Sequence, residues 1–199
     1  MSMSVTVRDI QRFKERGERF AMLTCYDSTS ARLLDEAEIP LIFIGDTLGE
    51  MMLGYSSTVP VTMEEMLHHA KAVTRVVENA IVVGDLPFMT YQVSIEEGMR
   101  NAGRMLKEAG TNCVKLEGAS PLVVELVARL VEAGIPVMGH LGLTPQSLHQ
   151  LGGHRVQGRD EKSASRILSE ARALRTRARL PSCWRPSLRL SPSALRGAS

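Results

Sequence analysis

Aromatic side chains make up only 4% of the 199 residues, so the interior must be built from Val, Leu, Ile, Ala and Met. Cysteine is equally sparse. Cys25, Cys113 and Cys183 lie far apart and form no Cys-x-x-Cys pair. That spacing indicates neither a metal knuckle nor a disulfide framework, and Cys25 and Cys113 are expected as small buried residues. No apolar run approaches the roughly 18 residues that a membrane span requires, so no membrane partner is expected. The stretch from Met1 to Arg8 has no hydrophobic segment of secretory type, and the cytoplasm is the expected location. Acidic residues stop at Glu170. Seven arginines follow it (Arg172, Arg175, Arg177, Arg179, Arg185, Arg189 and Arg196), and without them the formal charge of +2 becomes −5. The body is mildly acidic and the tail basic. The tail has no lysine and no periodicity, so nucleic acid is not an expected partner.

What the chain does have is a repeated ending. Leu41-Ile42-Phe43-Ile44-Gly45 runs into Asp46, Ala80-Ile81-Val82-Val83-Gly84 into Asp85, and Cys113-Val114-Lys115-Leu116 into Glu117. Short apolar runs of this kind read as strands buried on both faces. Ligands bind at the carboxyl ends of strands in sheets that alternate with helices. Three carboxylates delivered there are placed to meet one hard divalent cation such as Mg2+.

Helix signals fall between the strands. A first strand near Phe20–Thr24 leads into a helix around Thr29–Glu38. After Asp46 comes a Gly-rich loop through Gly49 and Gly54. Thr62-Met63-Glu64-Glu65 and Ser94-Ile95-Glu96-Glu97 have the form of capping boxes. The first opens a helix with Met66, Ala70, Val73 and Val77 on one side, and the second opens a helix ending near Gly110. Ser120-Pro121 starts another helix, which stops at Gly134. A fifth strand then leads into His140. Five strand–helix units imply a parallel sheet with helical crossovers. A (β/α)8 TIM barrel fits best, although such barrels need about 250 residues and eight strands. The expectation is an incomplete barrel over residues 1–174, with an Arg/Ser/Pro-rich, disordered tail over 175–199.

Each strand-end acid taken alone also reads as a turn or helix cap. Lys115 lies two residues before Glu117, hence on the same face of its strand. It reads either as half of a structural ion pair or as a holder of an anionic substrate. His140 is open between a structural and a catalytic role. His68 and His69 are adjacent on a helix, so their side chains diverge; His149 and His154 flank a glycine pair in a loop. None of these four is expected to bind metal.

Several segments together carry a specific likeness. Gly45-Asp46-Thr47-Leu48-Gly49, Asp85-Leu86-Pro87-Phe88-Met89, Val114-Lys115-Leu116-Glu117-Gly118 and Gly139-His140-Leu141-Gly142-Leu143-Thr144-Pro145-Gln146-Ser147 resemble the ketopantoate hydroxymethyltransferases. The loop from Gly152 to Arg159 extends the match. The resemblance implies a barrel transferase of pantothenate and coenzyme A biosynthesis. It would move a one-carbon unit from 5,10-methylenetetrahydrofolate to 3-methyl-2-oxobutanoate, with Mg2+ as metal. It assigns Asp46, Asp85 and Glu117 to the metal, and Asp46, Thr47, Asp85 and Lys115 to the 2-oxo acid. It also implies a large homo-oligomer in the family, which a shortened chain need not form.

The family's base is a glutamate in a Leu-Glu-x-Val-Pro-like segment that these residues do not contain, so the catalytic base is unassigned and impaired activity is expected. The likeness fades after about Leu174. Codons can be chosen for Thr176 to Ser199 so that a one-nucleotide displacement reads Leu-Glu-Ala-Val-Pro, which suggests a shifted reading frame. Two alternatives remain: a non-catalytic fragment, and a related metal-dependent lyase or mutase barrel acting on other 2-oxo acids.

Overall fold

A computed structural model describes residues 4–147, 158, 160–178 and 183–186. The loop from 152 to 159, Gly158 apart, lies outside these residues, as do His149 and His154. Strands β1 (Met22–Thr24), β2 (Leu41–Ile44), β3 (Ile81–Asp85), β4 (Cys113–Glu117), β5 (Val137–Leu141) and β6 (Cys183–Pro186) form one sheet, ordered in space as in sequence. Every neighbouring pair is parallel. Helices α1 (Val7–Glu15), α2 (Ser28–Glu36), α3 (Leu48–Met51), α4 (Met63–Thr74), α5 (Ile95–Lys107), α6 (Pro121–Glu132) and α7 (Glu161–Ala178) lead into or connect the strands, with a 3-10 turn at Pro145–Ser147.

Period-two alternation sorts the side chains of β2 to β5 between two cores. Ile42, Ile44, Val82, Val114, Leu116, Val137 and Leu141 join Met66, Ala70, Met105, Leu126, Leu130, Ile167 and Leu174 of the helices. Leu41, Ile81, Val83, Cys113 and Met138 join Ile10 of α1, with Val5, Val7, Phe13, Met22 and Phe43 packed around them. The second set is the concave face of a partial barrel. Each large side chain buried fully in these layers contributes about 1.5–3 kcal/mol. On the concave face the strands begin apolar and finish polar: Cys113 gives way to Lys115 and Glu117, and Met138 to His140.

Local chemistry sets the helix limits. The Thr62–Glu65 capping box is complete. At Ser94 only half of the expected box forms: the hydroxyl accepts from Glu97 N at 3.1 Å, while the Glu97 carboxylate does not return the bond. Ser120 caps α6, and Pro121 occupies its first turn, where a missing N–H costs nothing. Gly110 and Gly134 follow α5 and α6 with φ of +73° and +84°, a conformation that favours glycine.

Other details differ from the expectations. The Gly-rich loop contains α3, and α1 precedes the first strand. Val77 lies beyond the end of α4. α7 runs through the expected division at residue 174 as far as Ala178, anchored by Ile167 and Leu174 in the core. Cys183–Pro186 add a sixth strand to the five strand–helix units read from the sequence, along the edge of β5. An unpaired edge offers N–H and C=O groups that any extended segment can take.

Candidate active site

Sheet register explains why the strand-end residues meet. Asp85, last in β3, is level with Lys115 of β4, and Glu117, last in β4, is level with His140 of β5. All four stand on the concave face. Asp46 lies two residues beyond β2, where the chain turns into α3. The side chains of Asp46, Asp85, Lys115 and Glu117 are buried.

Lys115 Nζ donates to Asp85 Oδ2 at 2.6 Å and to Glu117 Oε1 at 3.2 Å. It also sits 5.3 Å from the centre of the Phe43 ring. His140 Nδ1 is 2.9 Å from Glu117 Oε1, so the proton of that hydrogen bond belongs on Nδ1. Glu117 Oε2 accepts from Gln146 N at 3.2 Å. Gln146 Nε2 donates to Asp46 Oδ2 and to Leu86 O, both at 2.9 Å. Its Oε1 accepts from Tyr91 OH at 2.8 Å and from Gln92 Nε2 at 3.1 Å. At the rim, Thr47 Oγ1 and Tyr26 OH are 2.6 Å apart.

The electrostatics follow from burial. Burial pushes the Asp85 carboxyl well above the usual carboxylate range; Lys115 pulls against it, while Asp46 and Glu117 push further up. Asp46 is raised by burial too, against the pull of Lys115 and Gln146. Burial disfavours the Lys115 ammonium, yet Asp85, Glu117 and Asp46 outweigh it and hold the pKa above its ordinary value. Glu117 also resists burial: His140, Lys115 and the Gln146 amide keep it below the usual range. Three carboxylates against one ammonium leave two negative charges when all are ionised.

Asp85 Oδ1 is buried without a hydrogen-bond partner. A buried carboxylate oxygen with nothing to accept from is costly to ionise, and a hard cation is the partner that suits it. Asp46 and Asp85 therefore fit a divalent ion of the Mg2+ type, which is commonly bound by one or two carboxylates plus substrate oxygens and water. Glu117 fits less directly, because both its oxygens are engaged by Lys115, His140 and Gln146. Among the described residues no three His, Cys, Asp or Glu side chains are grouped closely enough to share one metal. The expected trio is thus drawn into one charge network, with the Lys115 ammonium between Asp85 and Glu117.

The remaining expectations divide similarly. Thr47 is at the rim, bonded to Tyr26. His69 Nδ1 lies 2.7 Å from the Tyr26 carbonyl, a structural contact. Cys25 and Cys113 are free and buried. No helix among the described residues is long and apolar enough to cross a membrane. Gln146 and Tyr91 were assigned no role from sequence; the only signal was their presence in or beside the quoted segments.

The parallel α/β partial barrel is a fold that this chain shares with solved members of the PEP mutase/isocitrate lyase superfamily. A 2,3-dimethylmalate lyase of that superfamily superposes with a TM-score of 0.67 at 15% identity, covering 98% of this chain and 66% of the lyase. A putative phosphonomutase from Burkholderia cenocepacia J2315 gives 0.69 at 17% identity, covering 94% and 78%. A phosphonopyruvate hydrolase, solved as a complex with oxalate and Mg++, gives 0.66 at 11% identity, covering 98% and 68%. These likenesses show the fold alone.

Sequence carries the assignment further: over residues 4–178 the chain belongs to the ketopantoate hydroxymethyltransferase family. It is 55% identical over 170 residues to the 3-methyl-2-oxobutanoate hydroxymethyltransferase of Carboxydothermus hydrogenoformans, covering 85% of this chain and 61% of that protein. Against the protein of the same name from Moorella thermoacetica the identity is 56% over 170 residues, covering 85% and 63%. The chain thus spans a little over three fifths of the length of these curated relatives.

Proposed function

We propose that this chain binds 3-methyl-2-oxobutanoate beside a divalent cation and serves its hydroxymethylation by 5,10-methylenetetrahydrofolate, giving 2-dehydropantoate for pantothenate and coenzyme A biosynthesis. The observation that carries the reading is the buried set of Asp46, Asp85, Lys115 and Glu117, with Asp85 Oδ1 unpartnered. The names of the close relatives supply the reaction.

Asp46 and Asp85 are the groups that would hold Mg2+, and Glu117 adds to the negative field that attracts it. When bound, such an ion polarises the keto oxygen and makes the adjacent C–H more acidic. Lys115 neutralises the substrate carboxylate, and the Thr47 hydroxyl supplies a neutral hydrogen bond at the rim. Fixing the carboxylate at Lys115 would hold the substrate in one orientation for reaction. Proton removal is assigned to no residue of this sequence, which contains no Leu-Glu-x-Val-Pro segment. Transfer by this chain alone is expected to be weak, while binding is expected to persist.

Calorimetric titration with 3-methyl-2-oxobutanoate, with and without Mg2+, tests the reading. Binding should require Mg2+ and vanish in Asp85→Asn. Cation-independent binding, or none, overturns it. Folate-dependent exchange of the substrate C3 proton, followed by NMR, separates this reaction from lyase or mutase chemistry on other 2-oxo acids.

A further inference from the structure

Gln146 is unusual among the polar residues at the strand ends. It comes from the 3-10 turn after β5, yet it reaches back to the ends of β4, β3 and β2. It is buried and carries no charge. Its whole hydrogen-bonding capacity is used: two Nε2 hydrogens on two acceptors, and Oε1 on two donors. The orientation of the amide is settled by its partners, because Asp46 Oδ2 and Leu86 O can only accept. A glutamate of the same shape has no hydrogens to give both at once when ionised. Asp46 Oδ1 takes neither of these hydrogens, so the amide restrains one carboxylate oxygen and does not engage the other. The backbone N–H of the same residue engages Glu117.

We infer that Gln146, held by Tyr91, is a positioning residue: it fixes Asp46 in the orientation that binds the divalent cation, so that the turn after β5 governs cation affinity. The inference rests on the proposed cation site and deepens it. Tyr91 secures the amide from the far side. Its hydroxyl donates to Gln146 Oε1 and accepts from Glu117 N at 3.0 Å, and its ring is fully buried. Tyr91 therefore ties the amide to the backbone of β4, which also carries Lys115. A carboxylate with one oxygen so restrained loses less freedom when an ion binds the other. Partners of this kind behind metal ligands commonly govern affinity by about 10–100-fold.

The test is titration of the full chain with Mn2+ as probe, counting free ion by electron paramagnetic resonance. Gln146→Met keeps the length of the side chain and removes all its donors and acceptors. It should weaken Mn2+ binding at least tenfold. Tyr91→Phe, a milder change, should weaken it severalfold. Asp35→Asn, at a buried acid far along the fold, serves as the control: it should lower the melting temperature without moving the Mn2+ affinity. Wild-type-like Mn2+ affinity in Gln146→Met, or in Tyr91→Phe should the methionine variant fail to fold, overturns the inference alone. Failure of the unsubstituted chain to bind Mn2+ overturns the cation-site reading and the inference with it.

Discussion

Replacing Lys115 by methionine removes the one cation set between Asp85 and Glu117 and leaves a side chain of similar length. At an effective dielectric constant of about 20, the contact of 2.6 Å to Asp85 corresponds to a gross attraction of about 6 kcal/mol, and that of 3.2 Å to Glu117 to about 5 kcal/mol. Most of this is offset because the buried ammonium no longer has to be stripped of water. Breaking a buried pair by removing one partner nets about 3–5 kcal/mol, a large fraction of the roughly 5–15 kcal/mol that holds a domain together.

The loss should depend on pH, and the sign follows from Asp85. Burial already lifts its folded-state pKa above the unfolded value, and without Lys115 the pull that opposes the lift is gone. A carboxyl raised in the folded state contributes stability below its unfolded pKa and loses it as pH rises through the folded pKa. The variant should therefore be weakest near pH 8 and recover toward pH 5, by about 1.4 kcal/mol for every tenfold loss of Asp85 acidity that the substitution brings. Urea unfolding followed by circular dichroism at both pH values gives the two differences. A cost below about 1 kcal/mol, or the same cost at both pH values, would falsify the account of Lys115 as the charge that draws the site carboxylates toward ionisation.

Two further changes probe other parts of the structure. Asp35 of α2 accepts from the backbone N–H groups of Glu78, Asn79 and Ala80 and from the Asn79 amide, clamping the entry to β3. Asp35→Ala should cost about 2–4 kcal/mol in denaturant unfolding. Burial works against this carboxylate, but those hydrogen bonds hold it below its usual range. Its contribution is present above the unfolded pKa and lost as pH falls through the folded one, so the wild type should approach the variant in acid. Thr47→Val should leave the melting temperature within a degree or two of wild type and weaken 2-oxo acid binding about tenfold, as calorimetry would show, because a single hydroxyl contact contributes about 1 kcal/mol or slightly more. Unchanged affinity would remove Thr47 from the binding set.

The sequence made the concave face legible because its information is local. A run such as Ile81-Val82-Val83-Gly84 before Asp85 carries both the strand and its polar end, and the spacing of Lys115 and Glu117 puts them on one side. The capping signals at Thr62 and Ser120 worked for the same reason: the partners lie within one turn. Gln146 was not legible in this way. Nothing in Pro145-Gln146-Ser147 tells that an amide will span a hundred residues to reach Asp46. Its place depends on how β2 to β5 fan out, which is a property of the sheet. His140 shows the intermediate case: the strand was read, but it continues through Leu141, so the imidazole belongs to the ladder and faces Glu117 across one register step. α3 was hidden because a glycine-rich stretch reads as loop, although Leu48 and Gly49 are both buried there.

Because spatial order copies chain order, the sheet can grow at a single advancing edge. Each new strand of the described sheet docks on the one made just before it. Assembly of this kind favours short-range closure at each step and suits a polypeptide that emerges gradually from the ribosome. Asp46, Asp85, Lys115 and Glu117 would then be gathered in succession, with the turn carrying Gln146 arriving after them as the latch.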